Sequence, residues 1–239
     1  MFTFQREFDR GTESDSGGIA AAVNDVFNRQ NNKYISGYSR PFVSVLALNY
    51  KLPGWGRNKF LSFAVGDWTV GAVMQYASGM PIEAPMAQNA LQNLLFQTTF
   101  SNRVPGVPLF TKDLNCHCID PNKDFVLNPK AWADPPAGQF GTSAAYYNDY
   151  RYQRVPQESM SLGRIFRLKE RATLQLRVEF TNVFNRLQMN NPDSTNALAT
   201  QVVNNGQVVS GFGRINTAVQ LTAGAPQPRN GTAVIRFTF

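Results

Sequence analysis

Apolar and polar residues alternate without interruption from Ala172 to Phe180. Ala172, Leu174, Leu176, Val178 and Phe180 fall on one side, and Thr173, Gln175, Arg177 and Glu179 on the other. A period of two belongs to a strand, because successive side chains leave a pleated backbone on opposite faces. At about 3.3 Å per residue the run covers roughly 30 Å, near the hydrocarbon thickness of a bilayer, whereas soluble strands run to about five or six residues. The same alternation recurs along the chain and predicts strands over about residues 2–8, 42–52, 68–78, 158–168, 172–184 and 232–239. The last of these sets Ala233, Ile235, Phe237 and Phe239 against Thr232, Val234, Arg236 and Thr238.

Between the strands the pattern lapses into polar, glycine-bearing and proline-bearing loops over about 9–40, 80–157 and 187–230. Within them, Ile19, Val23, Val26 and Phe27 recur at helical spacing, residues 88–95 have the composition of a short helix, and Asn204, Asn205 and Gly206 signal a small hairpin. The other connections, 54–66 and 168–171, are shorter. Strands that run alternately up and down place every long loop at one end. Tyr50, Trp68, Phe166, Phe237 and Phe239 then gather at the inner end and Phe42, Tyr76, Phe180 and Phe184 toward the outer one, as the two aromatic girdles of a membrane barrel do. The expected fold is therefore all-β, a fragment of a transmembrane antiparallel β-barrel with about six strands and long extracellular loops. Closed single-chain barrels have at least eight strands, so missing sequence or other subunits must complete this one. The chain also opens in mid-alternation at Phe2 to Arg6, without the features of a signal peptide, which fits a piece of something longer.

On this reading Leu174, Leu176, Val178 and Phe180 face lipid, while Thr173, Gln175, Arg177 and Glu179 face the lumen. There, Arg177 and Glu179 are expected to pair across strands or to touch a plug. Arg164 falls on the apolar side, where it must snorkel or lie against a neighbour. A soluble, secreted β-sandwich binding partners through its loops is the alternative.

Composition changes this picture little. The chain of 239 residues carries a net charge of +7, but its cations are scattered, with no basic tract, so nucleic acid is not an expected partner. No apolar run approaches the roughly 20 residues of a membrane helix. A slightly polar mean hydropathy says nothing against a barrel, which is apolar only at alternate strand positions.

Candidate chemistry is sparse. Cys116, His117 and Cys118 are the only cluster of metal-ligand type, and with no second ligand segment they do not close a tetrahedral site. A loop disulfide, two free thiols and a metal site remain open for them. His117 is the only histidine, and no nucleophile elbow, phosphate loop, zinc-protease or dinucleotide motif occurs. No enzyme activity, catalytic residue or cofactor is expected. Tyr146, Tyr147, Tyr150 and Tyr152, interleaved with Asp149 and Arg151, either line a binding surface or hold their loop together.

The segments IFRLKERATLQLRVEFTNVFNRLQMNNP, FGRINTA and PRNGTAVIRFTF resemble the closing strands of Oar-like TonB-dependent receptors of the acidobacterial type. RPFVSVLALNYKLPGWG with GDWTVGAVMQYASGMPIEAP resembles the preceding hairpin, and NPKAWADPPAGQFG a segment of the long outer loop. The likeness covers about residues 40–239 in order. It implies the carboxy-terminal part of a barrel of about 22 strands, with a plug and an amino-terminal domain lying outside this sequence. It also implies residence in the bacterial outer membrane and energised uptake of a bulky, unidentified ligand, with TonB contacted only through those missing regions. Ile235, Phe237 and Phe239 resemble the terminal signal read by the outer-membrane assembly machinery. The implied partners are thus outer-membrane lipid, the remaining strands and plug, and that machinery.

Overall fold

The computed structural model describes residues 1–6, 8–9, 24–25, 27–28, 30–53, 66–89, 91, 99–169, 172–186, 188–216 and 228–239. Six strands form its main sheet: β1 (Phe2–Phe4), β2 (Phe42–Lys51), β3 (Trp68–Ala77), β4 (Val155–Lys169), β5 (Ala172–Thr181) and β6 (Asn230–Thr238). They lie in chain order and every neighbouring pair is antiparallel, so the sheet is an up-and-down meander. It does not close, and β1 and β6 form its two edges.

Register keeps the two faces apart. On β5, Leu176 lies opposite Arg164 of β4 and Ile235 of β6, whereas Arg177 lies opposite Gly163 and Val234. One face therefore carries Leu46, Leu48, Tyr50, Val70, Met74, Met160, Leu162, Leu174, Leu176 and Val178. The other carries Asn49, Thr69, Gly71, Ser159, Ser161, Gln175, Arg177 and Glu179. A sandwich would bury the first face beneath a second sheet. Instead Leu46, Leu48, Leu162, Val178 and Ile235 stay exposed; among the described residues the strands bury only the small Ala72 and Ala77 of their apolar side chains, and the packed core cluster draws no member from them.

Several strand ends differ from the sequence reading for local reasons. β1 stops at Phe4, and Phe8–Asp9 pairs instead with Tyr34–Ile35 in a separate ribbon. β5 stops at Thr181 rather than near residue 184, because Asn182 and Asn185 take left-handed backbone angles, φ 48° and 50°. Asparagine tolerates that region better than most residues. The Asn182 side chain closes the turn, accepting from the Arg186 amide at 2.8 Å and donating to the Arg186 carbonyl at 3.0 Å. β4 begins at Val155, extending toward the loops.

The long connections pack together at one end of the sheet. Their core joins Tyr34 of the first loop, Ile82, Phe100, Leu109, Val126, Leu127, Trp132 and Tyr150 of the second, and Ala197, Phe212 and Ile215 of the third. Asn24, 1 % exposed, ties the first loop to the second. Its Oδ1 accepts from the Thr99 hydroxyl at 2.6 Å and the Phe100 amide at 2.9 Å, and its Nδ2 donates to the carbonyls of Gly141 and Ser143. In the third loop Val202–Asn204 and Gln207–Ser210 form a hairpin turning on Asn205 and Gly206, both at positive φ. The helices expected near 19–27 and 88–95 fall largely outside the described residues.

Candidate functional site

The polar face of the sheet is hollowed. Gly71 lies opposite both Asn49 and Ser161, and a Cβ added to Gly71 would sit 2.6 Å from the Ser161 hydroxyl. Gly163 faces Arg177 on the next strand. Small residues thus form the floor of a cavity of about 510 Å³, with Asn49, Thr69, Gln175, Arg177 and Glu179 around it and the apolar Ala47, Val73 and Ile165 between them. Arg177 and Glu179 form an ion pair along β5 at 2.6 Å, rather than across strands as expected. Both side chains keep about half their exposure, so the pair adds little to stability and leaves a polar, wettable wall.

On the opposite face lie the residues of the aromatic girdles. Phe166, Leu174 and Phe237 form one cross-strand row, and Phe237 stacks on Phe239 with centroids 5.9 Å apart. Arg164, the exception in the apolar pattern, lies over the rings of Phe166 and Trp68, its guanidinium carbon 4.5 and 5.3 Å from their centroids. Lying against aromatic neighbours is one of the two solutions its position allowed.

A second polar group on this face escaped the sequence reading. Glu158 shares the side of Pro156, Met160 and Tyr76 and is 1 % exposed. Its carboxylate accepts from Arg186 Nε at 2.9 and 3.1 Å and from the Tyr76 hydroxyl at 3.1 Å. The signal was available: Glu158 breaks the apolar alternation of β4 at the loop end as Arg164 breaks it at the other.

The loop candidates resolve differently. Cys116 and Cys118 are joined in a disulfide, which corrects the free-thiol and metal alternatives, since both sulfurs are consumed. His117 between them takes a left-handed backbone, φ 52°. Tyr150 is fully buried between Trp132 and Phe110, with centroids 5.5 and 5.4 Å away. Tyr146 packs on Tyr34 at 5.7 Å, and Tyr147 lies under the Arg103 guanidinium at 4.8 Å. Burial pushes the phenols of Tyr146, Tyr150 and Tyr152 above their ordinary range. Asp149 receives both terminal nitrogens of Arg103, at 3.1 and 2.6 Å, holding its cation well charged. Arg151 donates to the backbone carbonyls of Ser39 and Gly79, joining the first loop to the second. At Gly79 a Cβ would lie 1.9 Å from the Tyr152 carbonyl oxygen, so only glycine lets the chain leaving β3 pass that close. These tyrosines and their charged neighbours hold the loops together.

An open antiparallel meander with one apolar and one hollowed polar face, capped at one end by packed loops, is the architecture of a membrane barrel segment. The comparison with known families agrees: a family model described as an outer membrane beta barrel domain matches residues 1–230. The chain belongs to that family, and its place is the bacterial outer membrane. No curated protein and no solved structure matches it.

Proposed function

We propose that the chain is the carboxy-terminal part of an Oar-like, TonB-dependent receptor barrel, serving energised uptake of a bulky ligand. The observation that carries this reading is the division of β5. By register Leu174, Leu176, Val178 and Phe180 stand on the apolar face, while Gln175, Arg177 and Glu179 line the cavity, which Phe180 also touches. In a receptor the first group meets acyl chains and the second, with Thr173, meets the lumen and its plug. The open edges at β1 and β6 take the remaining strands, because unpaired backbone groups in lipid each cost several kcal/mol. The loop body then lies outside the cell. Ile235, Phe237 and Phe239 on β6 serve as the assembly signal, and energy reaches the barrel through TonB by way of regions outside this sequence. The work of the segment is architectural, with no bond chemistry.

Photo-crosslinking residues placed at Gln175, Arg177 and Leu176 in the receptor polypeptide test this reading. Adducts from Gln175 and Arg177 should map to chain on the amino-terminal side of this segment, and those from Leu176 to lipid. Lipid adducts from Gln175 and protein adducts from Leu176 would reverse the faces. Lipid from Leu176 with no protein adduct from the cavity would leave a barrel but remove the plug, and with it the receptor.

A further inference from the structure

At the loop end of the apolar face lies a second cavity, of about 520 Å³. Phe42, Tyr76 and Pro156 of the sheet form its apolar wall, and Arg154, Arg186 and His117 its polar side. The disulfide loop reaches over it, anchored where Asn115 Oδ1 accepts from the Arg154 amide at 3.0 Å. Arg186 is held through Nε by the buried Glu158, which leaves its terminal nitrogens uncommitted to that carboxylate. The Arg154 guanidinium makes no hydrogen bond or ion pair among the described residues. Glu158 offsets one of the two arginines, so the cavity keeps a net positive charge beside an apolar wall.

That combination selects an anion attached to something apolar. A free anion has no use for Phe42, Tyr76 and Pro156, and a neutral lipid has no use for two guanidinium groups. We propose that this cavity binds the phosphorylated headgroup of an outer-leaflet lipid, with Arg154 and Arg186 on the phosphate and the acyl chains running down the apolar face. Guanidinium groups suit the role because their planar donors match phosphate oxygens two at a time. The assignment rests on the reading that the apolar face meets lipid and the loop end is the outer one. It makes the loop body a clamp on the surrounding leaflet as well as a cap over the lumen.

The test uses the full chain in neutral detergent, with native mass spectrometry counting retained lipids. Phosphatidic acid and phosphatidylcholine of identical acyl chains are compared, with inorganic phosphate as competitor. Phosphatidic acid should be retained about five- to thirtyfold better, the gain expected from one or two arginines at a membrane surface. Arg154→Gln should lose most of that preference, Arg154→Lys should keep much of it, and Arg167→Gln, at the far end of β4, should leave it unchanged. Unaltered heat-dependent gel mobility of each variant establishes that folding is intact. Equal retention of the two lipids, or an Arg154→Gln variant that binds as before, would overturn the proposal. So would millimolar inorganic phosphate abolishing the preference, since the site would then be one for a free anion. A chain that stays monodisperse without detergent and retains neither lipid removes both this site and the membrane-facing reading, whereas retention without preference removes the site alone.

Discussion

The sheet and the loop body are built on opposite rules. The loop body has the interior of a soluble protein: Ile82, Val126, Leu127, Tyr150, Phe212 and Ile215 are at most 2 % exposed, and the polar Asn24 among them is fully hydrogen-bonded. The six strands contribute nothing to that core. Ladder hydrogen bonds join them, and Leu46 and Ile235 are left 58 and 73 % exposed. A water-soluble sheet with such a face would aggregate. The contrast teaches that apolar residues in this chain are of two kinds, those satisfied by the protein itself and those left to the medium outside it.

The largest effect should come from the loop core. Trp132, 4 % exposed, sits between Tyr147 and Tyr150, and Trp132→Ala should cost about 3–5 kcal/mol of loop stability. Proteolysis should then cut the loops readily while the heat-modifiable mobility of the sheet persists. Joint loss of both would show that the two regions fold as one and would break the comparison.

Next in size is a charge placed on either face of the sheet. Val178→Arg, on the apolar side, should cost about 2–4 kcal/mol near mid-membrane depth. Asn49→Arg, on the hollowed side, should stay within about 0.5 kcal/mol, as surface changes usually do. Unfolding in lipid vesicles measures both, and equal costs would remove the distinction between the faces.

What could be read from the sequence follows the same division. A strand between lipid and lumen is specified by its own alternation, so β2, β3, β5 and β6 are visible in short windows such as FVSVLALNY and ATLQLRVEF. The loop body is specified by contacts between distant residues. Asn24 donates to Gly141 across 117 positions, and Tyr34 meets Tyr146 in the core, neither with any local signature. The undecided role of the four tyrosines had the same cause, since a binding surface and a core use the same residue types. Local cues did exist where the strand limits were misjudged. The asparagines of TNVFN favour a left-handed turn, and Glu158 is a charge out of phase with its strand.

The smallest effect tests whether the loop body obeys soluble-protein electrostatics. Glu83 follows the buried Ile82 in the loop strand Pro81–Glu83, opposite Tyr146, and burial raises its carboxyl above the ordinary value of 4.5. Because the folded form holds this proton more tightly than the unfolded one, loop stability is highest below about pH 4.5 as far as Glu83 is concerned. It falls as the pH rises through the folded value, then levels. Asp124 works in the other direction: its bond from Lys112 lowers its carboxyl below 3.8, so its contribution is present above that pH and fades in stronger acid. Glu83→Gln should therefore stabilise the loops at pH 7–8 by under about 1 kcal/mol, because a partly exposed carboxylate keeps some hydration, and change nothing near pH 4. Urea titration followed by Trp132 fluorescence, with Trp55 and Trp68 replaced by Phe, reads the difference. A gain of equal size at both pH values would mean that Glu83 is set by packing rather than by its charge.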